Sequence, residues 1–287
     1  MARNREKIGS LTRQIQVTLD DKLAIGQSKH LDKIKGITQD KIYSWETYRS
    51  YMKHCNYFTA YCKEKYGART LDECRPHINE WIKSRSEKGL SAYTQKLEAS
   101  ALAKMYGCST KDFIKTDVRH RADITRSRGE KVRDKNFSEA RNKELVDFCK
   151  STGLRRAEVK ALTGDKLIQK DGQYYIRVDV GSKGGRYRES PVVGDIQLVV
   201  NKMKSVGINK VFNKIPNGAD IHSYRSHYCT TVYKFYERDI SSLDPSERYC
   251  CRGELKGTWY DKKAMKIASE ALGHNRISVI AEYYIRG

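Results

Sequence analysis

Four short segments in the second half of the chain contain side chains that could bind a phosphoryl group. In the first, Thr-Gly-Leu-Arg-Arg-Ala-Glu at residues 152–158, a glycine turn leads into a predicted helix with Arg155 in its first turn. The free backbone N–H groups and dipole of such a helix end favour an anion, and the planar guanidinium can donate two hydrogen bonds to a phosphate. Glu158 is predicted to orient that guanidinium or to cap the helix. An ordinary capped helix would contain the same residues, so this segment alone is a weak signal.

Two further segments add positive charge and exchangeable protons. Lys183 lies in the glycine-rich turn Gly-Ser-Lys-Gly-Gly, where glycines allow the tip to approach a ligand closely and the lysine could donate a proton or neutralise charge. His222 and Arg225 are three residues apart, so on a helix they share one face and together could bind a phosphoryl oxygen. Taken singly, a solubilising turn lysine, a structural histidine and a surface arginine remain the alternative interpretations.

The fourth segment is Leu-Gly-His-Asn-Arg at residues 272–276, which presents His274 on a glycine turn. A predicted helix follows and carries two adjacent tyrosines, Tyr283 and Tyr284. An apolar stripe that begins at Ile277 includes Tyr284, whereas Tyr283 lies beside the stripe. Because the stripe should face the domain, Tyr284 is predicted to point toward the same place as His274.

The elements that position these residues are predicted to form a mainly α protein with a small antiparallel β-sheet. Residues 1–40 are polar and basic and are predicted to be a tail. Residues 41–118 form a small helical domain, with aromatic and apolar residues at spacings of three and four from Trp45 to a stop at Gly67. The second domain, residues 137–287, combines helices with a strand that alternates from Tyr174 to Val180 and a returning strand after the Lys183 turn.

The charge balance points to a polyanionic partner. The chain has 56 Lys and Arg residues against 35 Asp and Glu, a net charge of +21. A surplus of this size creates a long-range positive field, for which nucleic acid is the commonest partner. Residues 119–136 concentrate this charge in a predicted linker that we expect to cross a phosphate backbone. The cations assigned to that contact are Arg119, Arg121, Arg126, Arg128, Lys131 and Arg133.

The apolar runs and the cysteine spacing indicate the cellular compartment and whether a metal or cofactor is expected. No run of apolar residues approaches the roughly 20 needed to span a bilayer, and the basic start is not followed by the apolar stretch of a signal peptide. A cytoplasmic, nucleoid-associated protein without membrane contact is therefore expected. The eight cysteines include no Cys-x-x-Cys pair, and the adjacent Cys250 and Cys251 lack a second pair at ligand spacing. Neither a metal site nor a cofactor is expected.

The order and separation of the four segments resemble the tyrosine site-specific recombinases, or integrases. The resemblance covers the whole second domain and, more loosely, the first, which is similar to the helical core-binding (SAM-like) domain of that family. It is nearest to the integrases of phages and conjugative transposons of Gram-positive bacteria. The family implies a C-shaped clamp of two domains around duplex DNA.

The resemblance also implies a role for each residue. Arg155, Arg225, His222 and His274 would hold the scissile phosphate and offset the charge on its oxygens, and Lys183 would protonate the departing 5′ oxygen. A tyrosine would attack phosphorus to form a 3′-phosphotyrosyl link. Family members place that tyrosine nine or ten residues after the histidine, which fits Tyr283 and Tyr284 respectively. The apolar stripe favours Tyr284 as the nucleophile, with Tyr283 as the alternative.

The function predicted from these residues is cleavage and rejoining of DNA strands for integration and excision of a mobile element. The expected partners are double-stranded DNA, further copies of the chain in a tetramer on synapsed sites, and an excisionase or DNA-bending accessory protein. A Xer-like resolvase of chromosome or plasmid dimers would use the same chemistry. A catalytically inactive DNA-binding regulator is the alternative from a different class.

Overall fold

The chain divides into two compact units, Met1–Asp123 and Ile124–Gly287. The computed structural model describes residues 9–120, 123, 137–181 and 187–285. The boundary between the units falls inside the predicted linker at 119–136. Among the helices of the described ranges, none has the length and apolar character of a membrane-spanning segment. The predicted site residues outside the described ranges are Arg121, Arg126, Arg128, Lys131, Arg133 and Lys183.

The N-terminal unit is built from helices with well-defined starts. At the start of each described α-helix of this unit except α5 (Ile78–Glu87), a serine or threonine side chain accepts a hydrogen bond from a first-turn backbone N–H. This bond satisfies a donor that the helix itself leaves unpaired. The predicted stop at Gly67 is confirmed, since its φ of 69° lies in the left-handed region. The described helices are α1 (Leu11–Asp20), α2 (Lys29–Ile34), α3 (Trp45–Tyr66), α4 (Leu71–Cys74), α5 (Ile78–Glu87) and α6 (Ala92–Met105).

The core of this unit includes part of the segment that the sequence predicts to be a tail. Ile15 and Leu19 of α1 are fully buried and pack in one apolar cluster with Phe58 of α3 and Leu102 of α6. The prediction of a tail over residues 1–40 is therefore wrong for its described part. Only two positions of the ten-residue α1 are buried, so its apolar pattern is too sparse to stand out from the polar sequence around it.

The C-terminal unit combines helices with two small antiparallel sheets, as the mainly α prediction requires. One sheet has the strand order β1–β2–β3, and β4 pairs with β5 in the other. The predicted strand pair corresponds to β2 and β3, whereas β1 has no counterpart in the sequence prediction. The elements are α7 (Lys143–Thr152), α8 (Arg156–Ala161), β1 (Leu167–Lys170), β2 (Gln173–Val178), β3 (Arg188–Pro191), α9 (Ile196–Val206), α10 (Ile221–Tyr236), β4 (Arg248–Cys250), β5 (Trp259–Asp261), α11 (Lys262–Ala271) and α12 (Ser278–Tyr283).

Helix α10 is the central element of this unit, since it packs against both α7 and α11. Tyr228 of α10 is fully buried and lies against the turn at Gly153, which ends α7 with a φ of 62°. A Cβ atom at Gly153 would lie 2.2 Å from the Tyr228 ring, so only glycine fits there without a shift of the ring or the turn. This close approach brings the start of α8 next to the first turns of α10.

Residues 239–261 are anchored by an ion pair between Arg238 and the buried carboxylate of Asp261. Asp261 is fully buried, and its carboxylate accepts hydrogen bonds from Nε and Nη2 of Arg238 at 2.8 and 2.9 Å. The same carboxylate caps α11 by accepting from the backbone N–H of Lys263. Strands β4 and β5 are therefore tied to the helix that leads to the Leu-Gly-His turn.

Candidate active site

Tyr284 lies directly after α12, with its side chain only 6% exposed. Its hydroxyl is 3.1 Å from Nε2 of His274 and accepts a longer hydrogen bond, at 3.4 Å, from Nε of Arg225. Its backbone carbonyl accepts from the hydroxyl of Ser226, which fixes the end of the helix on α10. Tyr283, in contrast, is 43% exposed. The apolar stripe thus directs Tyr284, and not its neighbour, toward the other candidate residues.

Arg225 is a buried cation in the second turn of α10. Its side chain is among the largest of those that are fully buried, and its two terminal nitrogens donate to the backbone carbonyls of Gly153 and Leu272. Burial lowers the pKa of Arg225, but a guanidinium starts from a pKa above about 12 and stays charged at neutral pH. The site therefore contains a permanent positive charge whose hydrogen bonds go to dipoles.

Arg155 reaches the same carbonyl from the start of α8. Its Nη2 donates to the carbonyl of Leu272 at 3.2 Å, and its Nη1 donates to Glu158 at 2.8 Å. Glu158 also accepts the backbone N–H of Arg155 at 2.7 Å, so its carboxylate satisfies the backbone donor of the residue that precedes α8. The two alternatives for Glu158 are thus both realised: it caps the helix and orients the guanidinium.

Glu158 is also held by Arg188, a residue that the sequence analysis does not single out. Nη1 and Nη2 of Arg188 donate to the two oxygens of Glu158 at 2.8 and 2.7 Å, and its Nε donates to the carbonyl of Ala271 at 3.2 Å. Burial raises the pKa of Glu158, but the hydrogen bonds and charges of Arg188 and Arg155 outweigh that effect and hold its pKa at about 2. No sequence motif marks Arg188, since an arginine at the start of a strand usually lies at the surface.

The two histidines approach Tyr284 from different elements. His222 is exposed in the first turn of α10, and its ring centroid lies 5.6 Å from that of Tyr284. His274 lies in the turn between α11 and α12, with its ring centroid 5.3 Å from the tyrosine ring. That turn requires Gly273, whose φ is 68° and where a Cβ atom would lie 2.9 Å from Cδ of Arg188.

Two predicted groups of residues are only partly described. The turn that contains Lys183 begins at Gly181, where a Cβ atom would lie 2.9 Å from the backbone carbonyl of Ala157 in α8. The described start of the turn therefore lies against the helix that Arg155 begins, while Lys183 itself is outside the described residues. Of the cations assigned to the linker, Arg119 is described: it is exposed and lies over the ring of Tyr93 at 4.6 Å.

Comparisons with known proteins show the fold. No protein-family model and no curated protein matches this sequence. Among solved structures, the XerH site-specific recombinase bound to a palindromic difH substrate matches with a TM-score of 0.53 and 15% identity, over 95% of this chain and 90% of that one. A pre-cleavage complex of XerH with difH matches with a TM-score of 0.50 and 14% identity, over 96% and 92%. The Tn1549 transposon integrase in complex with circular intermediate DNA has a TM-score of 0.47, 14% identity and coverage of 97% and 96%.

The protein has the tyrosine recombinase fold. Within this tyrosine recombinase fold, the side chains of Arg155, Arg188 and Arg225 converge on the carbonyls of Ala271 and Leu272, just before His274. Arg155 and Arg188 share the buried carboxylate of Glu158, so the site combines three guanidinium groups with one carboxylate. Because charges interact strongly where water is excluded, this excess of positive charge favours an anion at the site.

Proposed function

We propose that the protein is a site-specific DNA recombinase that cleaves and rejoins strands through a covalent link to Tyr284. The observation that carries the proposal is the position of the Tyr284 hydroxyl, buried against His274 and against a permanently charged Arg225. A phenol placed beside cations is suited to attack a phosphodiester, since the cations offset the negative charge that develops on the phosphoryl oxygens.

In the first step, the Tyr284 oxygen attacks phosphorus and the bond from phosphorus to the 5′ oxygen breaks. The phenolic proton passes to a base, for which Nε2 of His274 at 3.1 Å is within reach. The 5′ oxygen leaves with a proton from Lys183, the role that the resemblance implies. The product is a 3′-phosphotyrosyl link and a free 5′ hydroxyl. Attack by a 5′ hydroxyl reverses these steps and joins the strands, so the energy of the original bond is conserved.

Arg155 and Arg225 are proposed to bind the two non-bridging oxygens of the phosphate, with His222 as a further donor. Both arginines already donate to the carbonyl of Leu272, so their terminal nitrogens lie on the same side of the Leu-Gly-His turn. Such preorganised donors need little rearrangement when charge develops in the transition state. Tyr283 is assigned no part in bond cleavage, because its side chain is exposed and lies off this arrangement.

The proposed substrate is duplex DNA, held in part by the basic segment at 119–136, with four copies of the chain on two synapsed sites. The proposed biological role is integration and excision of a mobile element, assisted by an excisionase or a DNA-bending protein. The net charge of +21 supports a polyanionic partner. Resolution of chromosome or plasmid dimers uses the same chemistry, and the choice of DNA in the experiment below separates the two roles.

The experiment uses three sets of DNA duplexes: those that the full chain selects from a random library, candidate mobile-element ends, and candidate dimer-resolution sites. Each duplex is nicked near the expected cleavage position, so that a short fragment diffuses away after cleavage and the covalent adduct accumulates. Wild type, Tyr284→Phe and Tyr283→Phe are incubated without magnesium and with EDTA. Adducts are separated by denaturing electrophoresis, and unfolding curves establish that all three proteins are folded.

We expect an adduct with wild type and with Tyr283→Phe, and none with Tyr284→Phe, because phenylalanine lacks the nucleophilic oxygen. Loss of the adduct in Tyr283→Phe alone would assign the nucleophile to Tyr283. Salt-sensitive DNA binding by wild type without an adduct on any duplex would refute the enzyme and leave a DNA-binding regulator.

A further inference from the structure

We infer that Arg188 is a positioning residue for strand cleavage: it holds Glu158 so that Glu158 sets the orientation of Arg155. The inference rests on the proposed function, since it assigns Arg155 to the phosphate. Arg188 lies at the start of β3 and is nearly buried, with 9% of its surface exposed. Its guanidinium would act on the substrate only through other residues.

The geometry of the Arg188–Glu158 pair is bidentate, which fixes the carboxylate in a plane. Both oxygens of Glu158 are engaged by Arg188, at 2.8 and 2.7 Å, and each oxygen also accepts one hydrogen bond from Arg155. Arg–carboxylate pairs of this kind add directional specificity as well as energy. A carboxylate that Arg188 did not hold could rotate, and Arg155 would then lose a defined side-chain partner on its Nη1 side.

A second contact ties Arg188 to the turn that carries His274. Nε of Arg188 donates to the carbonyl of Ala271 at 3.2 Å, and the next carbonyl, that of Leu272, accepts from Arg155. The aliphatic part of Arg188 lies against Gly273 so closely that a Cβ atom there would be 2.9 Å from its Cδ. Arg188 therefore binds Glu158, one partner of the Arg155 guanidinium, directly. It also binds the carbonyl of Ala271, the residue before Leu272, whose carbonyl is the other partner.

These contacts predict that loss of Arg188 lowers the rate of DNA cleavage but leaves DNA affinity nearly unchanged. DNA binding depends on many cations, so removal of Arg188 should change the affinity for a selected duplex by less than about threefold. Cleavage depends on the orientation of Arg155, and a small misplacement in an active site can lower a rate by on the order of 100-fold. A loss of that size in the single-turnover rate of adduct formation is expected for Arg188→Gln. The rate for Arg188→Lys should lie between those of wild type and Arg188→Gln, since lysine keeps the charge but cannot form the bidentate pair.

The test is a double-mutant cycle on the full chain with a selected suicide duplex. Rates are measured at saturating protein for wild type, Arg188→Gln, Arg155→Lys and the double variant, with Tyr284→Phe as the blank. If Arg188 acts through Arg155, the double variant cleaves no more than about twofold slower than Arg155→Lys alone. The matched control is Lys170→Gln, which removes an ion pair with Glu189 on the exposed side of the same sheet and should cleave at the wild-type rate.

A second variant, Glu158→Gln with Arg188→Met, tests the inference if Arg188→Gln fails to fold. Arg188→Gln leaves a buried carboxylate without its main partner, whereas Glu158→Gln with Arg188→Met removes both charges and is the safer protein to fold. Both are expected to bind DNA and to lose cleavage. Wild-type cleavage in either folded variant, or losses that multiply with those of Arg155→Lys, would overturn the inference while the Tyr284-dependent adduct stands. Absence of that adduct from wild type would overturn the inference together with the proposed function.

Discussion

Replacement of Gly153 by alanine tests how tightly the turn before Arg155 is packed onto α10. The φ of Gly153 is 62°, and a Cβ atom would lie 2.2, 2.5 and 2.6 Å from three carbons of the Tyr228 ring. Carbon atoms in contact are normally about 3.5–4.0 Å apart, so the overlap exceeds an ångström. The ring cannot move away freely, because its hydroxyl donates to the carbonyl of Pro191 at 2.7 Å and the side chain is fully buried.

Two terms contribute to the expected loss of stability. An L residue in the left-handed region is destabilised by about 1–2 kcal/mol, and overpacking of a tight core adds about 1–3 kcal/mol. Gly153→Ala should therefore lower the free energy of unfolding of the C-terminal unit by about 2–5 kcal/mol. Gly172→Ala is the matched control, since its φ is 76° and no atom lies within 4 Å of the Cβ position. It should show the first term alone.

The assay is urea unfolding of the full chain followed by the fluorescence of Trp259 in β5, with Trp45 and Trp81 replaced by phenylalanine in every variant. Tyr228→Leu removes the ring, so in its background Gly153→Ala should lose less stability than in wild type. Equal losses for Gly153→Ala and Gly172→Ala, or no coupling to Tyr228→Leu, would refute the packing argument.

The remaining predictions concern charge. The pKa of Glu158 is lowered from 4.5 to about 2 in the folded protein, so its contribution to stability is present above about 4.5 and is lost as the pH falls toward 2. Glu158→Gln should therefore flatten the dependence of the unfolding free energy on pH within that window, and a slope equal to that of wild type would contradict the ion pairing. DNA affinity should fall linearly on a plot of log K against log salt concentration. Replacing Arg119 and Arg126 by glutamine should reduce that slope by about 0.9 per lost phosphate contact, whereas Lys170→Gln on the β-sheet should leave it unchanged.

Residues with a local pattern were predictable from the sequence. The spacing of apolar residues in α3 and the glycine at its end define that helix, and the stripe through Ile280 and Ala281 places Tyr284 on the buried side of α12. Both patterns reflect the period of an α-helix, which neighbouring residues along the chain reveal. The burial of Arg225 was not predicted, although Arg225 shares a face of α10 with the buried Tyr228.

Residues whose environment is set by distant segments were not predictable. Arg188 is 30 residues from Glu158 along the chain, and its role depends on the packing of β3 against α8 and the end of α11. Helix α1 was missed because its few buried positions gain their meaning only from α3 and α6. Strand β1 is four residues long, of which two are exposed, so it lacks the alternation that marks a strand.

The pairing of charges in the site gives a physical reason to expect an anion beside Tyr284. Buried charges in proteins are normally paired, because transfer of an isolated ion from water is strongly unfavourable. Within the described part of the chain, Glu158 is committed to Arg155 and Arg188, and the contacts of Arg225 are two carbonyls and a phenol. The fold thus bears the desolvation of Arg225 without a carboxylate of its own, and a phosphate that enters the site would supply the missing charge. The desolvation of Arg225 lowers the stability of the free protein, and binding of a phosphate would offset that loss. The attraction between Arg225 and the phosphate would be strongest in the transition state, where the phosphoryl oxygens carry the most negative charge.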